Sequence, residues 1–242
     1  MAPSEQITFY TAGSSPWGHR VHIALEDANA KYTTYHIDPR NKPEWYYQVN
    51  PLGKVPAFTF GGPDVPPDQP SPESAKLAES GALLEFLADV FPEAHLLPDD
   101  PVLKAKARAF TEIFRNYVDS EFRSAFFMGK HFDGLLLALE KLQRALPPSG
   151  FAVGQWSIAD AAVAPFLARM MLFVRVGLGT YQEEDWQKLR EALASDRFAR
   201  VVRYVQDVHE RPSFKRTWVS DDRQLELWKN HPGLRRKAGA AN

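Results

Sequence analysis

The opening of the chain leaves few folds available to it. Ile7 and Phe9 alternate with Thr8 and Tyr10 up to Thr11, the period-two pattern of a short strand. Ala12 to Ser15 make a small polar turn, Pro16 has the fixed φ of a first helical position, and Trp17, Val21, Ala24, Leu25 and Ala28 share one helical face. Tyr32 to Ile37 then reads as a second strand, broken by the segment Asp38 to Pro43. Strand, helix and strand in so short a span imply a parallel pair joined by a right-handed crossover.

The turn at Ser14-Ser15-Pro16-Trp17 presents an open helix N-terminus. Such an end carries unpaired backbone N–H groups and about half a positive charge, so it attracts thiolates, carboxylates or phosphates. Ser15, directly before the proline, has two readings. It is an ordinary N-cap whose hydroxyl accepts from the N2 or N3 amide, or it is a hydroxyl that works on a ligand. The turn alone does not separate them.

Further along, Glu44 to Gln48 reads as a short helix or turn, and Asn50-Pro51-Leu52-Gly53 as a loop. Lys54 to Phe60 reads as a third strand with Pro56 near its start, where a proline belongs at an edge, a strand start or a cis turn. A proline there leaves neighbouring backbone groups free to pair with a ligand's backbone. The proline-rich stretch Gly61 to Ser74 reads as an exposed loop with no assignable chemistry. Lys76-Leu77-Ala78 is a short strand, and Glu79-Ser80-Gly81 opens a helix with Leu83, Leu84, Leu87, Val90 and Phe91 on its stripe, ended by Pro92.

From His95 to Pro101 the chain reads as a linker, and beyond it every pattern is helical. The expected organisation is therefore an α/β unit over residues 1–94, a linker over 95–101, an all-helical unit over 102–220 and a loosely held tail with a basic end over 221–242. Phe110, Phe114 and Tyr117 recur at helical spacing, as do Leu135, Leu139, Leu142 and Leu146. Ser157-Ile158-Ala159-Asp160 reads as a capping box with Asp in place of Glu or Gln, a structural device.

Composition narrows the chemistry. Over 242 residues, 29 Lys and Arg against 30 Asp and Glu give no bulk electrostatic case for nucleic acid or an acidic membrane surface. The start of the chain lacks a basic stretch followed by an apolar run, and Ala161 to Val174 is too short, and broken by Arg169, to span a bilayer, so the expected location is the cytoplasm. The chain has no cysteine, which excludes disulfides, thiolate metal sites and cysteine nucleophiles. Any thiol chemistry here must use a thiol that arrives with a ligand.

Taken together, these elements resemble the soluble glutathione transferases, in which a thioredoxin-like α/β domain precedes an all-α domain. The resemblance covers the chain to about Trp218. Ser15-Pro16-Trp17 with Arg20-Val21 is similar to the family's catalytic turn. Asn41-Lys42-Pro43-Glu44-Trp45 with Asn50-Pro51-Leu52-Gly53-Lys54-Val55-Pro56 looks most like the omega class. The resemblance implies glutathione as co-substrate, held by Ser15, Trp17, Lys42, Lys54, Val55, Pro56, Glu79 and Ser80. Within that set, Lys42 matches a lysine facing the glycyl carboxylate, and Val55 before a cis Pro56 pairs with the cysteinyl backbone. Glu79 and Ser80 match the acid and serine at the γ-glutamyl end.

The resemblance also implies a homodimer, no metal, and a hydrophobic second site drawn from Trp17, Phe114, Tyr117, Arg123, Phe127, Met171 and Phe173. Omega enzymes carry cysteine where this chain has Ser15, and a serine cannot form their mixed disulfide with glutathione. The implied activity is therefore serine-type. Ser15 would donate a hydrogen bond to the glutathione thiolate, for conjugation to hydrophobic aromatic electrophiles or removal from them. The alternative is a weakly catalytic or non-catalytic protein that binds polyphenols or other aromatic compounds.

Overall fold

The computed structural model describes residues 6–229 and 231–234. The chain divides into two compact units, residues 1–96 and 97–242. In the first, a four-stranded sheet has the order β2-β1-β3-β4, formed by β1 (Ile7–Thr11), β2 (Tyr32–His36), β3 (Ala57–Phe60) and β4 (Ala75–Ala78). β1 runs parallel to β2, while β3 is antiparallel to both β1 and β4. Helix α1 (Pro16–Asp27) makes the crossover from β1 to β2, and α2 (Ser80–Val90) follows β4 and packs beside α1. This is the thioredoxin-like arrangement expected.

Gly18 fits that crossover for a steric reason. A Cβ at this position would lie 2.0 Å from Thr11 Oγ1, so α1 reaches the end of β1 only because the residue there has no side chain.

All five residues of β1 are buried, so both of its faces are covered. Phe9 packs edge-on against Phe58 on one side, with ring centroids 5.7 Å apart. Tyr10 faces the other side, where it meets Tyr35, Trp45 and Tyr46, and its hydroxyl donates to the Pro67 carbonyl at 2.7 Å. The short 3₁₀ turn Glu44–Gln48 and the proline-rich loop therefore cover the second face. The third strand begins at Ala57 and not Lys54, because Pro56 offers no N–H to the ladder and follows a cis peptide bond from Val55.

The second unit is helical throughout its described length, apart from isolated bridges in the loop before α6. It comprises α3 (Pro101–Ile113), α4 (Asp119–Met128), α5 (Asp133–Ala145), α6 (Ile158–Val176), α7 (Glu183–Ala194), α8 (Ala199–Glu210), α9 (Pro212–Trp218) and α10 (Asp221–Lys229). Asp100 caps α3 by accepting from the Leu103 amide at 2.8 Å, so Pro101 is already helical and not part of the linker.

At the centre of this unit, α6 is buried on all sides over most of its length. The box at its start forms as the spacing predicts. Ser157 and Asp160 cap each other's backbone, and Asp160 also accepts from the Ala152 amide at 2.8 Å and the Tyr204 hydroxyl at 2.9 Å. Burial pushes the Asp160 carboxyl up to about 6, against four donors that favour its charged form.

The reading of 221–242 as a loose tail fails for its first part. Asp221–Lys229 is helical, Asp221 pairs with Arg175, and Gln224 donates to the Trp218 carbonyl at 2.8 Å. Trp228 lies against Phe127 and Phe173, with centroids 5.8 and 5.5 Å away. A single aromatic anchor among charged neighbours gives little periodic signal, so the pattern hid a docked helix. The basic end beyond Leu234 lies outside the described residues.

Candidate functional site

Strand register gathers the predicted residues of the first unit. Tyr10 pairs with Ala57, and Ala57 pairs with Ala78. The turn after Thr11, the Val55-Pro56 step before β3 and Glu79-Ser80 after β4 therefore all lie at one end of the sheet. β2 also ends there, with the Ile37 amide donating to the Thr11 carbonyl at 2.8 Å, and Lys42 follows a few residues on.

Two helix N-termini meet this edge. α1 begins after Ser15, whose Oγ accepts from the Gly18 amide at 3.1 Å. The cap reading of Ser15 is thus correct, and it does not consume the hydroxyl proton: among the described residues no acceptor takes it. Ser15 is half-buried, as is Trp17 on the next turn. α2 begins at Ser80, buried, with the exposed Glu79 as its N-cap. Glu79 has φ 68° and ψ 106°, a backbone state that a side chain makes costly by about 1–3 kcal/mol. This backbone state turns the Glu79-Ser80 step across the sheet end. Together the helix ends bring N-terminal N–H groups and positive partial charge to this edge, an arrangement that suits an anionic group.

The other predicted ligands sit around the same edge. Val55 is half-buried with its backbone in the irregular step before the cis Pro56, which is itself buried. Lys42 is half-buried and Lys54 exposed. Sequence reasoning overlooked the scaffold that fixes Lys54. Its carbonyl accepts from the Tyr46 hydroxyl at 2.7 Å and from Asn50 Nδ2 at 2.8 Å. Asn50 Oδ1 in turn accepts from the Leu52 amide at 3.1 Å, and Gly53 takes φ 60°. The Asn-Pro-Leu-Gly run carried that signal, since Asn and Gly are the residues that close such turns.

The aromatic candidates of the second unit do not form one surface. Phe114 is 1% exposed and packs on Phe166 at 5.0 Å, and Phe173 is 0% exposed among Phe122, Phe126 and Trp228. Both are core residues and offer no surface to a ligand in this arrangement, a correction to the expected second site. Tyr117 is exposed, with Lys141 Nζ 4.0 Å above its ring. The wide π-type turn over Phe114–Val118 shifts the helical phase, so Val118 takes the inward place that Tyr117's spacing suggested. Arg123 points to solvent and pairs with Asp119 at 2.7 Å. Phe127 and Met171 are half-buried, Phe127 being covered by Trp228 and His231.

Among the described residues no three His, Asp or Glu side chains group as metal ligands, and no helix is long and apolar enough to cross a membrane.

Comparison with known proteins agrees with this geometry. Residues 14–90 match the sequence profile of the glutathione S-transferase N-terminal domain. Glutathione transferase Omega 2S from Trametes versicolor has 62% identity and a TM-score of 0.93, with 96% of this chain and 100% of that one covered. That protein has also been solved in complex with 2,4-dihydroxybenzophenone. Among curated relatives, pyrimidodiazepine synthase of Drosophila melanogaster is 28% identical over 69% of this chain, and glutathione S-transferase omega-1 of Mus musculus is 30% identical over 46% of it. The chain spans 65% of the fly protein's length and 42% of the mouse protein's. Near-complete coverage at 62% identity assigns the chain to the glutathione transferase family, where it is omega-like.

Proposed function

We propose that the chain is a serine-type glutathione transferase that holds glutathione at the sheet end and activates its sulfur through Ser15. The single observation that carries this reading is the state of that hydroxyl: its oxygen accepts from Gly18 and its proton is left to donate. A thiol with pKa near 8.5 is only about 3% ionised at pH 7. One hydrogen bond to a charged group contributes about 1.5–3 kcal/mol, equivalent to about one or two pKa units, and the α1 N-terminus adds some tenths of a kcal/mol. The thiolate then becomes a major species and attacks the electrophile directly, expelling halide from an aromatic halide or adding to the central carbon of an isothiocyanate whose nitrogen takes up a proton, without a covalent enzyme intermediate. Lys42 faces the glycyl carboxylate, Val55 pairs with the cysteinyl backbone, Glu79 takes the γ-glutamyl amine and Ser80 its carboxylate. Lys54, Pro56 and Trp17 complete the cradle. The protein acts as a cytoplasmic homodimer.

A second reading is favoured by the hydroxybenzophenone complex of the Trametes relative. On it, the chain binds flat phenolic compounds and turns over little. One experiment separates the two: glutathione-dependent turnover of an aromatic halide and an isothiocyanate by the wild type and by Ser15→Ala. The expected loss in kcat/KM is about 10- to 100-fold, the worth of one charged hydrogen bond. Equal rates in the two proteins would remove Ser15 from the chemistry. Binding of 2,4-dihydroxybenzophenone with no product from any electrophile would favour the second reading.

A further inference from the structure

Arg20 belongs to the motif that opens α1 and lies on its second turn. Its side chain is buried, 5% exposed, and Nη1 donates to Ser80 Oγ at 3.3 Å across a separation of 60 residues. The same guanidinium lies 4.5 Å from the centre of the Trp17 ring. One cation thus touches the helix that begins at Ser15 and the helix that begins at Ser80.

A serine hydroxyl has one proton to donate and two lone pairs to accept with. The Arg20 N–H occupies a lone pair of Ser80, just as the Gly18 N–H occupies one of Ser15. In each case the oxygen is already an acceptor inside the protein, and among the described residues nothing accepts its proton. Accepting from a cation also polarises the hydroxyl and strengthens its own donation. Both serines are therefore set to point O–H at a bound anion, and in Ser80 the residue that does the setting is Arg20.

We propose that Arg20 is a positioning residue for the γ-glutamyl carboxylate of glutathione. It acts through Ser80, making that hydroxyl a committed, polarised donor, and its planar group over Trp17 ties this to the turn that presents Ser15. Arginine suits the task because its fork keeps a fixed direction and its charge is not lost on burial. The proposal rests on the reading of the sheet end as a glutathione site.

The test compares two ligands that differ only in the group Arg20 is said to serve: glutathione, and 4-aminobutanoyl-cysteinylglycine, which is glutathione without its γ-glutamyl carboxylate. Dissociation constants are measured by calorimetry for the wild type, Arg20→Met and Arg20→Gln. Gln keeps an N–H donor, and it serves as the second variant should Met disturb folding. Arg20→Met is expected to weaken glutathione about five- to tenfold, the worth of one hydrogen bond, and the truncated ligand less than about twofold. Arg20→Gln should fall between Met and wild type for glutathione only. Ser80→Ala should show the same selectivity and make a further Arg20→Met change nearly silent.

Equal losses for both ligands, in whichever Arg20 variant folds, would mean that Arg20 merely supports the fold and would overturn the proposal. Unchanged glutathione affinity would overturn it as well. Wild-type protein that fails to bind glutathione at all would instead remove the functional reading on which the proposal stands.

Discussion

Ser15 and Ser157 open α1 and α6 with the same chemistry and opposite consequences. Each sits at an N-cap with extended backbone, and each Oγ accepts from an amide of the first turn, Gly18 at 3.1 Å and Ala159 at 3.3 Å. Ser157 is 0% exposed, and its proton goes to Asp160 Oδ2 at 3.2 Å. Ser15 is half-buried beside a proline and a tryptophan, with no carboxylate at the third helical position, which Gly18 occupies. A cap becomes a site when its cap partner cannot take the proton. In α6 an acid three residues on closes the box, whereas in α1 a glycine leaves the hydroxyl open.

The largest effect should come from breaking the closed cap. Asp160→Ala would leave the buried Ala152 and Ser157 amides and the Tyr204 hydroxyl without their acceptor. Stranding buried donors in a core helix is expected to cost about 3–5 kcal/mol in a urea unfolding curve. A loss below about 1 kcal/mol would mean that Asp160 does not organise the start of α6.

The same carboxyl gives the comparison a pH signature. Burial raises it from 3.8 to about 6, so the folded state holds this proton more tightly than the unfolded chain does. Its contribution is fully present below about pH 4 and is lost as pH rises through 6, a total of about 3 kcal/mol. Asp160→Asn removes the titration. The stability difference between wild type and Asp160→Asn should therefore shrink in favour of the variant between pH 4 and 7. A difference that stays flat would mean that the carboxylate is charged throughout. At the open cap there is no such acid, and Ser15→Ala should leave the pH slope of stability unchanged.

Much of this contrast was legible in residue spacing, because caps and strand-helix alternation are local. Ser15-Pro16, the Ser157–Asp160 pair and the order of elements all rest on contacts a few residues long. What stayed hidden is carried by long-range or phase effects. The proline-rich loop is fixed by Gln6 on Asp64 at 2.7 Å, by Tyr10 on the Pro67 carbonyl and by Lys76 on the carbonyls of Ser71 and Ser74. Three of these four bonds end on backbone carbonyls, which have no residue signature, and the fourth joins side chains 58 residues apart, so spacing reveals none of them. Tyr117 was misplaced by one wide helical turn, and Phe173 by a tryptophan 55 residues later that seals it. Arg20 was visible as part of a motif, but its partner Ser80 lies 60 residues away.

The smallest effect is the most discriminating, because it sets the two serines side by side. Ser157→Ala removes the hydrogen bonds its hydroxyl accepts from the first-turn amides of α6 and the one it donates in a dry environment, and leaves Asp160 short of a donor. A stability loss of about 1–2 kcal/mol is expected, with kcat/KM for glutathione unchanged. Ser15→Ala removes a single cap bond at a half-exposed position, so its stability loss should be at most about 1 kcal/mol, while activity falls. Activity and stability thus separate in opposite directions for the same substitution. Thermal melts and glutathione kinetics on both variants read this directly. Parallel losses in the two proteins would show that Ser15 is no more than a cap, and that an open hydroxyl at a helix start is not enough to make a site.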